Sequence, residues 1–186
     1  MAYLNVAAWL PSTHAEGPGH RAALWVQGCA KRCHGCCNPA FLKLEERHLV
    51  SAHHVVDDLA RAKADFAIEG ITFLGGEPFL QAQGLAVVAA AARAMDLSVM
   101  VFSGYTLEEL HALNLPGAAE LLQATDVLVD GPYESQLPDA ERSWVGSRNQ
   151  RFHYLTNRYD PAVETEGRGE QVVEWRIRDD GTLSVN

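Results

Sequence analysis

Cys29, Cys33 and Cys36 stand at the spacing C-x-x-x-C-x-x-C, directly after the apolar run Ala22-Ala23-Leu24-Trp25-Val26. Thiolates hold iron–sulfur clusters, and a cubane cluster offers four irons. Three closely spaced cysteines leave one iron without a protein ligand, and an open coordination position is what a catalytic centre needs. Two other readings compete. A structural zinc knot needs four ligands, with Cys37, His34 or His48 as the last. Adjacent Cys36 and Cys37 leave an ordinary backbone in different directions, however, so both joining one tetrahedral site is awkward. Disulfides would close only very short loops, because all four cysteines lie between positions 29 and 37. The open cluster is the preferred reading.

The elements that must position these thiols follow from length and pattern. A chain of 186 residues is most simply one domain, with the last part, 160–186, an appendage to it. A complete eight-unit parallel barrel needs about 250 residues, so a barrel here would be truncated. Fifteen basic against 24 acidic side chains give a net charge of −9, and no long basic stretch invites nucleic acid. No apolar run reaches the roughly 18 residues of a membrane span, and no export signal opens the sequence. Clustered reduced cysteines then predict a cytoplasmic protein.

Along the chain, residues 3–10 read as a strand, followed by a loop holding Pro11, Gly17, Pro18 and Gly19. Residues 21–27 form the strand that delivers the cysteines. Ser51 can cap a helix of about fifteen residues with Val55, Val56, Leu59 and Ala62 at helical spacing. Ile71-Thr72-Phe73-Leu74 is a buried-type strand ended by Gly75-Gly76, and an alanine-rich helix follows near 81–95. Residues 98–102 are a strand; Thr106-Leu107-Glu108-Glu109 reads as a capping box. Residues 117–124 look helical, 126–129 and 151–155 extended, and 134–150 loop. Residues 160–170 read as a polar, flexible connection, and 172–177 and 182–185 flank Asp179-Asp180-Gly181, a β-hairpin signal.

Strands separated by helices argue for parallel β-α-β units, whose sites gather at the strands' C-terminal ends. The cysteines, Gly75-Gly76-Glu77, Ser103-Gly104-Tyr105 and Asp130-Gly131-Pro132 each follow a strand. Four turns would then share one rim.

With Gly75-Gly76-Glu77-Pro78 downstream, the cysteine motif resembles the radical S-adenosylmethionine enzymes. Gly17-Pro18-Gly19, Val26-Gln27-Gly28-Cys29, Cys33-His34-Gly35-Cys36 with Asn38-Pro39, the run from Gly104 to Leu110, the run from Asp126 to Pro132, and Gly146-Ser147-Arg148-Asn149-Gln150-Arg151 narrow the resemblance. Over about 3–158 the chain resembles the glycyl-radical-enzyme activases, most closely those of anaerobic ribonucleoside-triphosphate reductase. Cys37 departs from the usual tyrosine or histidine of that branch, and Lys31-Arg32 from its usual spacer.

The resemblance implies an incomplete parallel (β/α) barrel of the radical SAM type with a short C-terminal hairpin. It implies a [4Fe–4S] cluster on Cys29, Cys33 and Cys36, whose free iron chelates the amine and carboxylate of S-adenosylmethionine. Gly75-Gly76-Glu77 would present backbone acceptors to the methionyl ammonium and Ser103 would meet the ribose, with Gly35 and Cys37 the remaining cofactor-side candidates. The cofactor would carry the radical, so no side chain is assigned as catalytic. The implied partners are a glycyl-radical enzyme, the large subunit of anaerobic ribonucleotide reductase, and a flavodoxin- or ferredoxin-type electron donor; neither nucleic acid nor membrane is expected. A small radical enzyme acting on another peptide or metabolite is the alternative. For Asp130 a loop-capping carboxylate is the simpler account, for His53-His54 an exposed first helical turn, and for Arg142, Arg148, Arg151 and Arg158 an ion-paired surface rather than a docking patch.

Overall fold

Four apolar runs without polar alternation make the centre of the molecule, as expected for strands covered on both faces. A computed structural model describes residues 2–166, 175–177 and 183–185. Its strands are β1 (Tyr3–Thr13), β2 (Arg21–Val26), β3 (Leu49–Ser51), β4 (Gly70–Gly75), β5 (Ser98–Phe102), β6 (Val127–Asp130) and β7 (Arg151–Tyr154), joined in one mixed sheet of order β3-β1-β2-β4-β5-β6-β7. β2, β4, β5 and β6 are parallel neighbours, as β-α-β units require. β1, β3 and β7 pair antiparallel at the two sides, so the sheet is mixed rather than all parallel. The short edge strand β3 has no periodicity of its own; pairing with Tyr3-Leu4-Asn5 makes it.

Pro11, expected in a loop, lies inside β1. The register of β1 against β2 slips between Leu10 and Thr13, and such a bulge accommodates a residue without an N–H.

The helices are α1 (Ala52–Phe66), α2 (Ala82–Ala94), α3 (Leu107–Leu113) and α4 (Ala118–Ala124). Ser51 caps α1, its Oγ accepting from His54 N at 3.1 Å. Thr106 and Glu109 close the capping box of α3. The main core joins helix positions Val55, Leu59, Leu85, Val88 and Leu121 to strand positions Leu24, Val26, Phe73, Val101 and Leu128. Alternate strand positions face the other way: Ala23, Trp25 and Leu74 form one smaller cluster there, and Met100, Val127 and Val129 another.

At the C-terminal side, Pro161–Thr165 forms a 3-10 turn capped by Asp160, with Val163 buried, where a flexible connection was expected. β8 (Trp175–Ile177) pairs antiparallel with β9 (Leu183–Val185) in a separate two-stranded sheet. The expected turn at Asp179-Asp180-Gly181 and residues 167–170 lie outside the described residues. Among the described residues no helix is long and apolar enough to cross a membrane.

Candidate metal centre

Because β2, β4, β5 and β6 are adjacent and parallel, the turns after them lie side by side. The first carries the cysteines. Its stem is tied to the segment after it: Gly28 N donates to Phe41 O (2.8 Å) and Cys29 N to Leu42 O (3.1 Å). Gln27 Nε2 donates to Lys43 O and Gln81 Nε2 to Gln27 O, so side chains just after β2 and just before α2 hold the loop in place. Cys29 is buried, which pushes its thiol up, while the Arg32 and Lys31 amides pull it back. Cys36 N donates to Cys33 O at 3.2 Å, closing a tight turn in which Gly35 takes φ +77°. Asn38 N approaches Cys36 Sγ at 3.4 Å. Cys33 and Cys36 are half-buried, and Cys37 is exposed beside them.

Among the described residues no three His, Cys, Asp or Glu side chains converge closely enough for a single ion. A cluster asks for something different: each thiolate binds its own iron, so ligands stand around a cube rather than a point. Three soft thiols on one short loop, with amides hydrogen-bonded to two of the sulfurs, fit that group, since backbone donors to sulfur are one of the ways a protein tunes a cluster.

The second turn, Gly75-Gly76-Glu77, is bonded to the first. Gly76 N donates to Val26 O at 2.7 Å and Glu77 N to Gly28 O at 2.9 Å. A Cβ on Gly76 would lie 2.3 Å from Gly28 O, and one on Gly75 2.5 Å from Val26 N. These glycines therefore serve the close approach of the two turns, a reason the sequence pattern did not reveal.

Glu77 is fully buried, and its carboxylate is the hub of the rim. Oε1 accepts from Phe79 N (3.0 Å) and Ser103 Oγ (2.9 Å), and Oε2 from Gly104 N (2.8 Å). Burial pushes its pKa up to about 7, opposed by these donors and by Lys31. Ser103 is itself buried, and its hydroxyl also accepts from Tyr105 N at 3.0 Å. Lys31, from the cysteine loop, reaches the same corner: Nζ sits 4.3 Å from the Tyr105 ring centre and donates to Glu109 at 2.9 Å. Glu77 was expected on the cofactor side rather than as the hub, and Lys31 was not foreseen; an acid two residues after a buried strand and two before Phe79 was the available signal.

The fourth turn joins through Gly131 N, which donates to Tyr105 O at 3.2 Å. Asp130 is buried and accepts from Leu107 N (2.6 Å), the first residue of α3, and from Arg151, where a loop-capping carboxylate was expected. Arg151 also pairs with Glu108, Arg142 with Asp139 and Arg158 with Asp96, and His53 and His54 are exposed on the first turn of α1.

Comparison with known proteins gives the family. Residues 15–153 match the family model of a 4Fe-4S single cluster domain. The anaerobic ribonucleoside-triphosphate reductase-activating protein of Enterobacteria phage T4 is 32% identical over 154 residues, covering 80% of this chain and 93% of the phage protein. The proteins of the same name from Vibrio cholerae and Escherichia coli K12 are 31% and 29% identical, each covering 82% of this chain and 99% of the relative. Among solved structures, QueE from Escherichia coli overlaps 56% of this chain and 53% of its own at 15% identity, with a TM-score of 0.41. That overlap is too slight to argue from. The chain belongs to the family of the anaerobic ribonucleoside-triphosphate reductase-activating proteins, with a 4Fe-4S single cluster domain at residues 15–153.

Proposed function

We propose that this chain is a radical S-adenosylmethionine activase that installs a glycyl radical on an anaerobic ribonucleotide reductase. The observation that carries the reading is the cysteine loop: three thiols in one tight segment, fixed to the C-terminal rim of four parallel strands, in a chain that shares family with named activating proteins. When bound, a reduced [4Fe–4S] cluster and S-adenosylmethionine supply a one-electron cleavage to methionine and a 5′-deoxyadenosyl radical that takes a hydrogen atom from a glycine Cα.

Cys29, Cys33 and Cys36 are the proposed cluster ligands. Gly75-Gly76-Glu77 lies at the end of β4 beside them, and its backbone carbonyls would serve as acceptors for the methionyl ammonium group. The Glu77 side chain points inward instead and fixes the spacing of the second and third turns through Phe79, Ser103 and Gly104. Ser103, with its hydroxyl engaged at both ends, holds the third turn next to the cofactor space. Gly35 and Cys37 border that space from the cysteine turn. We read the open seven-stranded sheet as an incomplete barrel within a single domain, unclosed on one side, so that a protein loop can reach the rim. The electron would come from a flavodoxin- or ferredoxin-type donor in the cytoplasm.

The test is to mix the reconstituted, reduced protein with S-adenosylmethionine and the host's anaerobic reductase. A glycyl doublet in electron paramagnetic resonance is expected, with deuterium from that glycine's Cα appearing in 5′-deoxyadenosine. No glycyl signal, together with deuterium loss from another peptide or a metabolite, would replace this reading with a different radical enzyme.

A further inference from the structure

The turn Gly146-Ser147-Arg148-Asn149-Gln150 carries more internal bonding than a surface loop requires. Gln150 Oε1 accepts from Gly146 N (3.0 Å), Ser147 N (3.1 Å) and Ser147 Oγ (3.3 Å). Its bonds outward reach one neighbouring segment, the chain that continues from the fourth rim turn. Buried Ser147 Oγ accepts from Glu134 N at 3.1 Å, and Asn149 Nδ2 donates to Pro132 O at 2.7 Å. Arg148 N donates to Leu137 O at 2.8 Å.

Between Pro132 and Glu134 stands Tyr133, and its ring lies between two glycine turns, with opposite edges toward Gly146 and Gly35. Cε2 and Cδ2 lie 2.9 and 3.0 Å from where a Cβ on Gly146 would sit, so only glycine leaves the ring its place there. Cε1 lies 3.4 Å from where a Cβ on Gly35 would sit, and Ser135 Cβ 3.6 Å from the same point, so the ring stands one side-chain contact away from that turn. Gly35 is the middle of the turn that brings Cys33 and Cys36 together. The ring thus stands where the loop after β6 meets the loop after β2, although two strands separate β2 from β6 in the sheet.

We propose that Tyr133 is a positioning residue for the cluster: its ring pins the turn at 33–36, and the turn at 146–150 braces the ring. The proposal deepens the assignment of Cys33 and Cys36 as cluster ligands, but its first measurement needs no cluster. In the full-length protein without metal, timed alkylation with iodoacetamide is read cysteine by cysteine by mass spectrometry. In Tyr133→Ala, Cys33 and Cys36 should react several-fold faster, because the turn that half-buries them is then held less firmly. Buried Cys29 should keep its rate, and Tyr133→Phe should behave as the wild type.

Gly146→Ala, which displaces the ring by one methyl group, should give the same selective acceleration, and carries the test if Tyr133→Ala unfolds and exposes Cys29 as well. After reconstitution, the cluster's absorbance in air should decay faster in Tyr133→Ala and normally in Tyr133→Phe. Unchanged Cys33 and Cys36 rates in both Tyr133→Ala and Gly146→Ala overturn the proposal. So does Tyr133→Phe matching Tyr133→Ala, which would assign the effect to the hydroxyl. Selective acceleration with no cluster in any variant, wild type included, would uphold the pin and refute the ligand assignment instead.

Discussion

At the end where the parallel strands begin, Arg21 is fully buried, and its guanidinium donates to Pro18 O (2.6 Å), Ile71 O (3.0 Å) and Thr72 Oγ1 (2.7 Å). Thr72 passes the bonding on to Glu16 O, and Tyr159 closes on Ser98 at 2.8 Å. Beside them, buried Asp126 accepts from Val99 N, Arg93 and Thr156. At the other end the turns are also bonded to one another, through Gly28, Glu77, Tyr105 and Gly131, yet Cys33 and Cys36 remain half-buried and Cys37 exposed. One end spends its polar groups on itself. The other uses backbone bonds to set the spacing of four turns, buries Cys29 and keeps its remaining soft donors near the surface. Burying a guanidinium without partners is very costly, so the closed end matters for stability. The open end matters for what it can hold.

Substitutions can break this contrast, and the largest effect belongs to the thiols. Replacing Cys29, Cys33 or Cys36 by alanine should abolish iron and sulfide binding, normally about four of each per chain, while the unfolding midpoint of the metal-free protein stays near wild type. Cys37→Ala should retain the cluster. Iron analysis and ultraviolet–visible spectra decide it, and loss of the cluster in Cys37→Ala alone would move the ligand set.

Gly76→Val should come next. A Cβ there meets the Gly28 backbone at 2.3 Å, so the cysteine loop itself must shift. We expect destabilisation of more than about 4 kcal/mol by denaturant titration, with poor cluster loading. Normal loading and stability would mean that the first two turns are not locked together.

At the closed end, Arg21→Met leaves two backbone carbonyls and Thr72 short of a donor, a loss of about 3 kcal/mol or more. The folded fraction should still bind its full complement of iron. A selective loss of iron with unchanged stability would erase the distinction between the ends.

The smallest effect is a pH dependence at the hub of the rim. The Glu77 carboxyl is pushed up to about 7 from an ordinary 4.5, so between those values the native chain holds a proton that the unfolded chain has released. The stability this contributes is fully present below the unfolded value and is lost as pH rises through about 7. Glu77→Gln should flatten that decline in denaturant midpoints measured across the same window. An unchanged slope would assign the titration to another group.

Local signals were legible wherever a few neighbouring residues decide the outcome. Ser51 and the box at Thr106 and Glu109 cap helices through bonds three residues long, and the structure has them at those residues. The apolar runs of β2, β4, β5 and β6 announce strands buried on both faces. The antiparallel flanks were not legible, because pairing direction is a property of two distant segments; β3 exists through its partner alone. Pro11 misled because a bulge that tolerates it is formed only against β2.

The same division runs through the site. Residue type and spacing alone determined the chemistry at hand: three thiols one turn apart, after a buried strand, are a soft donor set whatever surrounds them. Strand–helix alternation determined that four motif-bearing turns would share one rim. Only the tertiary structure decided that Gly75 and Gly76 are there for Val26 and Gly28, that Glu77 turns inward to Ser103 and Gly104, that Arg21 seals the far end, and that Tyr133 stands beside the turn of Gly35. Each of these joins residues tens of positions apart, where the energy lies in close packing and desolvated hydrogen bonds. Such terms depend on three-dimensional approach, which no local pattern along the chain encodes.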